Sequence, residues 1–128
     1  MSWRSAVSAV RRLPAGEAVS YGHRYRLERE ATVATVPVGY ADGYPWTLSS
    51  RADMLIGGKR RQVAGTVTMD QLLADCGDDP VRPGDEVVLI GRQGDEEVTA
   101  GELAELAGTI PYEVVCGISL RVPREYLG

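Results

Sequence analysis

Phenylalanine is absent from this chain, and among its 128 residues there are one lysine, one histidine and two cysteines. Without phenylalanine the core falls to aliphatic side chains, valine above all, with two tryptophans and six tyrosines as the large rings. One histidine and two cysteines that lie far apart, Cys76 and Cys116, make no recognisable zinc spacing. No export signal is visible, so the two thiols read as reduced and partly buried rather than as a disulfide. No apolar run approaches the length of a membrane span. A formal charge of −4 gives no electrostatic attraction to nucleic acid or to an anionic membrane. The Arg24, Arg26 and Arg29 cluster is interleaved with Glu28 and Glu30 and reads as a solvated strand or loop.

What is present suits one globular domain with a real core, at 44% apolar and 25% charged residues. Trp3 to Leu13 alternates loosely and ends on the turn signal Pro14-Ala15-Gly16. Ala31 to Val38 is rich in β-branched residues, and Pro37 places its end at a sheet edge. Met54 to Ile56, Gly57-Gly58 and Arg61 to Val67 make a hairpin pattern. Further strands are expected over Gln71 to Asp75, Glu86 to Ile90 and Ile118 to Val122. One helix should follow Thr99, whose Thr-Ala-Gly-Glu start fits a capping box, and stop at Gly108. A second helical turn is expected over Pro111 to Val115, closed by Gly117. Many short strands with turn signals predict a β-barrel or sandwich with a small helical insert late in the chain.

Three segments pair hydrogen-bonding side chains with glycine or a tight turn: Val19-Ser20-Tyr21-Gly22, Gly39-Tyr40-Ala41-Asp42-Gly43-Tyr44 and Thr68-Met69-Asp70-Gln71. Each residue has a plain reading. Tyr21 could be a strand-end ring packed on the core, Tyr40 a buried turn aromatic, and Met69 an ordinary core side chain. Asp42 suits a turn-capping carboxylate, while Asp70 and Gln71 suit hydrogen bonds that fix their loop.

Taken together and in this order, the three segments resemble the C-terminal domain of alanine racemase, the pyridoxal-phosphate enzyme that interconverts L- and D-alanine. The resemblance runs from Ser5 to about Tyr126. It implies a mainly β fold, a distorted Greek-key β-barrel with one or two short helices near the C-terminal end. It implies that Tyr21 is the catalytic tyrosine that takes the α-proton from one face of the substrate. A phenol has an unperturbed pKa of about 10, so it needs positive charge beside it to act near neutrality. It further implies that Tyr40 lines the substrate corridor and that the Met69 N–H holds the substrate carboxylate.

The cofactor is expected to lie elsewhere. Lys59, the single lysine, stands in Gly57-Gly58-Lys59-Arg60-Arg61, a hairpin tip where an exposed, protonated ammonium is expected. Such a lysine is unsuited to bond with pyridoxal phosphate, and no glycine-rich phosphate loop opens a helix. The resemblance therefore implies a (β/α)8 cofactor barrel, N-terminal to this domain and absent from it, that faces it across a head-to-tail homodimer. On that reading the chain is a truncated or internally started part of a cytoplasmic enzyme, inactive alone, whose D-alanine feeds peptidoglycan.

Three positions depart from the family's pattern. Trp46 and Thr66 stand where arginine is common, and Leu120 stands where tyrosine or proline is frequent. Leu120 cannot bond a phosphate, and fewer arginines weaken the pull on carboxylates. These departures keep open a non-catalytic dimerisation or regulatory β module, or a racemase or related decarboxylase of broader specificity.

Overall fold

The computed structural model describes residues 1–19 and 25–125. Its architecture is mainly β and antiparallel, with two short helices late in the chain, as expected. The principal sheet contains β1 (Trp3–Ala6), β9 (Glu86–Gln93), β6 (Asp53–Ile56) and β7 (Lys59–Gln62) in that order, with β10 (Glu96–Val98) also paired to β9. A second sheet sets β5 (Ala31–Val36) between β2 (Ala9–Leu13) and β8 (Leu72–Asp75). A small ribbon pairs β3 (Ala18–Val19) with β4 (Tyr25–Arg26). An isolated bridge between Val63 and Ala74 links the hairpin to the second sheet.

The stretch Trp3 to Leu13 is two strands in two sheets, not one. Val7 donates its N–H to Asp85 and Ser8 donates to Thr35, so adjacent residues bond to different sheets and the chain crosses over between them. β9 holds four successive buried residues, Val87 to Ile90, because strands flank it and both its faces are covered. β5 is buried on both faces for a similar reason. Ala34 and Val36 join the main core, whereas Ala31 and Val33 join a smaller cluster with Val19, Leu27 and Ala64.

The first helix, α1 (Ala100–Ala107), begins at Thr99, whose hydroxyl accepts from the Glu102 N–H at 3.0 Å, and ends at Gly108 in the left-handed region. The Glu102 carboxylate goes to Arg60 of β7 in two bonds of 2.6 and 2.8 Å, so the helix start is tied to the hairpin. α2 (Pro111–Cys116) starts on proline, packs against α1 and closes at Gly117.

Three further expectations are corrected. The ladder expected over Arg61 to Val67 stops at Gln62, apart from the Val63 bridge. β9 runs on beyond Ile90 to Gln93. Ile118 to Val122 is a turn, not a strand, because its carbonyls are taken by an arginine from its own end. Cys76 is buried and Cys116 exposed, and both are free. Burial pushes the Cys76 thiol up to about 11.

Candidate functional site

The segment Gly39 to Tyr44 folds as one 3₁₀ turn over Tyr40–Asp42 that is docked on the loop holding Met69. The Tyr40 N–H donates to Thr68 O at 2.9 Å and the Ala41 N–H to Met69 O at 3.0 Å. The approach needs glycine. A Cβ on Gly39 would overlap the carbonyl oxygens of Thr68 and Met69. A Cβ on Gly43, at φ +100°, would overlap the backbone of Gly117. Asp42 is the turn's internal cap: its Oδ2 accepts from the Gly39 N–H at 2.9 Å, which bears out the capping role expected of it.

The Met69 loop closes on itself. Thr68 N–H and Oγ1–H both donate to Gln71 O, and the Gln71 N–H donates to Thr68 Oγ1. Gln71 therefore fixes the loop through its backbone, and Asp70 does so by pairing with Arg121. The result turns Met69 outward at 52% exposure, and Tyr40 outward at 48%, so neither is a core residue. No acceptor among the described residues takes the Met69 N–H. The structure thus brings Tyr40 and Met69 together on one docked pair of loops.

A third loop joins them. Ser119 N–H donates to Asp42 O at 2.9 Å, and the turn it opens projects Leu120 at 95% exposure. Arg124 secures that turn by donating to Ile118 O at 2.7 Å, Ser119 O at 3.1 Å and Val122 O at 3.2 Å. Arg121 reaches out of it to Asp42 and Asp70. Sequence reasoning did not single out either arginine. The available signal was the Arg-Val-Pro-Arg run a few residues after the Gly117 helix stop, a pattern better suited to a capped turn than to a strand.

Tyr21 lies outside the described residues. Its sequence neighbours are firmly held: Val19 is buried, and Tyr25 donates its hydroxyl to Asp75 at 2.8 Å. Burial and that bond push the Tyr25 phenol well above its ordinary value, as burial does for Tyr44. Neither is suited to accept a proton near neutrality.

The residues present do not fit pyridoxal phosphate. The Lys59 ammonium is 64% exposed and pairs with Asp79 at 3.3 Å, and Arg60 and Arg61 follow it in β7. A lysine that carries this cofactor sits in an enclosed pocket beside the groups that hold the phosphate, whereas this one is solvated, engaged by a carboxylate and placed at a hairpin. No group of acidic, cysteine or histidine side chains among the described residues is arranged to hold a metal ion. No helix among them is long and apolar enough to cross a membrane.

Fold and loops together define a racemase domain: residues 1–126 match the family described as alanine racemase, C-terminal domain, and the chain belongs to it. It is 60% identical over its whole length to alanine racemase of Symbiobacterium thermophilum and 48% identical over 98% of its length to that of Halothermothrix orenii. Among solved structures, alanine racemase of Streptomyces lavendulae matches with a TM-score of 0.95 at 46% identity over 99% of this chain. That of Bacillus anthracis, solved with bound L-Ala-P, matches with a TM-score of 0.94 at 42% identity over 99% of this chain. The chain spans about a third of the length of each of these relatives, 34% of the first two and 33% and 32% of the structures.

Proposed function

We propose that this chain supplies the substrate-corridor wall and one catalytic base of an alanine racemase, with Tyr21 as the base. Tyr40 lines the corridor, and the Met69 N–H holds the substrate carboxylate by the same device as an oxyanion donor. The observation that carries the reading is the docking of the Tyr40 turn on the Met69 loop, with both residues outward and that N–H without an acceptor among the described residues, in a chain of this family. Inverting a stereocentre takes a proton from one face and returns one to the other. One fixed side chain serves both faces poorly, so Tyr21 needs a partner base across the substrate.

Pyridoxal phosphate, which makes the α-hydrogen acidic, is held outside this chain because Lys59 does not suit it. We place it on an N-terminal (β/α)8 barrel, with this domain facing the barrel of the other subunit in a head-to-tail homodimer. Exposed Tyr40, Met69 and Leu120 give such a partner apolar side chains to cover. The enzyme acts in the cytoplasm, and its D-alanine supplies peptidoglycan.

The test joins this domain to the remainder of the Symbiobacterium thermophilum relative, which is 60% identical over the shared region. The chimera should racemise alanine. Tyr21→Phe should slow α-hydrogen exchange with deuterated water from one enantiomer by about 100-fold or more while leaving the other nearer to normal. Equal slowing of both enantiomers, or of neither, removes Tyr21 from the role. The isolated chain titrated with pyridoxal phosphate should show no saturable absorbance band from bound cofactor that Lys59→Ala removes.

A further inference from the structure

The loops that carry Tyr40, Met69 and Leu120 share a single guanidinium. Arg121 Nε lies 3.3 Å from Asp42 Oδ1 and Nη2 lies 2.8 Å from Asp70 Oδ1. Asp42 is buried and spends its other oxygen on the Gly39 N–H, so its position reports directly on the Tyr40 turn. Asp70 is the residue after Met69. Asp70 first, and Asp42 second, raise the pKa of Arg121, so its guanidinium keeps its charge. Among the described residues Arg124 bonds instead to carbonyls of its own turn.

We propose that Arg121 is a positioning residue that sets Tyr40 against Met69. The inference rests on the corridor role given to those two residues above. The physical case turns on what else could hold them. Among the described residues no strand ladder includes residues 39–42 or 68–70, and the two loops are bonded to each other through the Tyr40 and Ala41 N–H groups. Arg121 is half exposed, and exposed ion pairs add little to global stability. A fork that spans two carboxylates on separate loops acts instead on their relative placement.

The test has two arms. In the chain itself, amide hydrogen exchange is followed residue by residue. Arg121→Ala should speed exchange at Tyr40 and Ala41 by about tenfold and leave Val88 and Leu89 in β9 unchanged. Asp70→Asn should act in the same direction, and Arg121→Lys should recover only part of the protection because an ammonium lacks the fork. Arg92→Ala, which removes an exposed ion pair with Glu97 elsewhere, should leave the two amides alone. In the racemising chimera, Arg121→Ala should raise KM for alanine about tenfold with kcat within about threefold.

Unchanged exchange at Tyr40 and Ala41, or an equal rise at those amides and in β9, overturns the proposal. So does an unchanged KM in a chimera that racemises. A chimera that does not racemise at all counts against the corridor reading, while the clasp is then decided by the exchange arm alone.

Discussion

The principal sheet and the loop face are built on opposite rules. In the sheet, position is set by ladders and by side chains buried on both sides: Leu55 of β6 and Leu89 of β9 are fully buried among aliphatic neighbours. On the loop face, position is set by backbone touching backbone. Side chains are missing where the loops meet, at Gly39 and Gly43, and large where they turn away, at Tyr40, Met69 and Leu120. The sheet gains stability from burying its large side chains. The loop face leaves its large side chains uncovered and uses glycine, capping carboxylates and arginine to hold their geometry. A surface built to meet something else needs the second rule.

The contrast is broken most severely from the sheet side. Leu55→Ala should cost about 3 kcal/mol in urea unfolding, because a fully buried leucine loses its transfer energy and leaves a cavity. Gly43→Ala tests the loop side and should cost about 2 kcal/mol, through the left-handed backbone and the overlap with Gly117. Gly16→Ala sharpens the point. Gly16 also has positive φ, at +83°, but nothing stands within 4 Å of the added carbon, so its cost should fall clearly below that of Gly43→Ala.

Acid should separate the ion pairs by burial. Arg61 is buried in the sheet, and its guanidinium, with Lys59 second, holds the Asp79 carboxyl below its ordinary value. A carboxyl held low in the folded state adds stability that is complete above its unfolded value of about 4 and lost as pH falls through the folded one. Stability measured between about pH 5 and pH 2 should therefore fall less in Asp79→Asn than in the parent chain. The same slope in both would show that the pair contributes nothing to the acid limb. The smallest effect is expected at Tyr44, whose buried hydroxyl has no hydrogen-bond partner among the described residues. Tyr44→Phe should be neutral or stabilising by about 0.5 kcal/mol, since it removes a desolvated polar group that the described residues leave unbonded.

The same contrast explains what the sequence made legible. β5, β8, the β6–β7 hairpin and both helices follow from local signals: β-branched runs, Gly57-Gly58, Thr99, Gly108 and Pro111. The outward residues Tyr40 and Met69 were identified through motif resemblance, because composition alone assigned both to the interior. The errors arose where long-range bonds override local pattern. Val7 and Ser8 look like the middle of one strand until Asp85 and Thr35 claim them separately. Ile118 to Val122 has strand composition, but Arg124 consumes its carbonyls and Arg121 leaves it for Asp42 and Asp70. Glu102 shows the same override on a small scale, since its carboxylate serves Arg60.

The crossover at Val7 has a consequence for how the polypeptide tolerates shortening. β1 is the outermost strand of one sheet and β2 the outermost of the other. Trimming the amino end past Ala6 would therefore uncover the hydrogen-bonding rim of β9, and trimming past Leu13 would uncover β5 as well. Bare rims of that kind recruit other chains. Stepwise deletion should thus meet two thresholds of self-association, one for each sheet that loses its border.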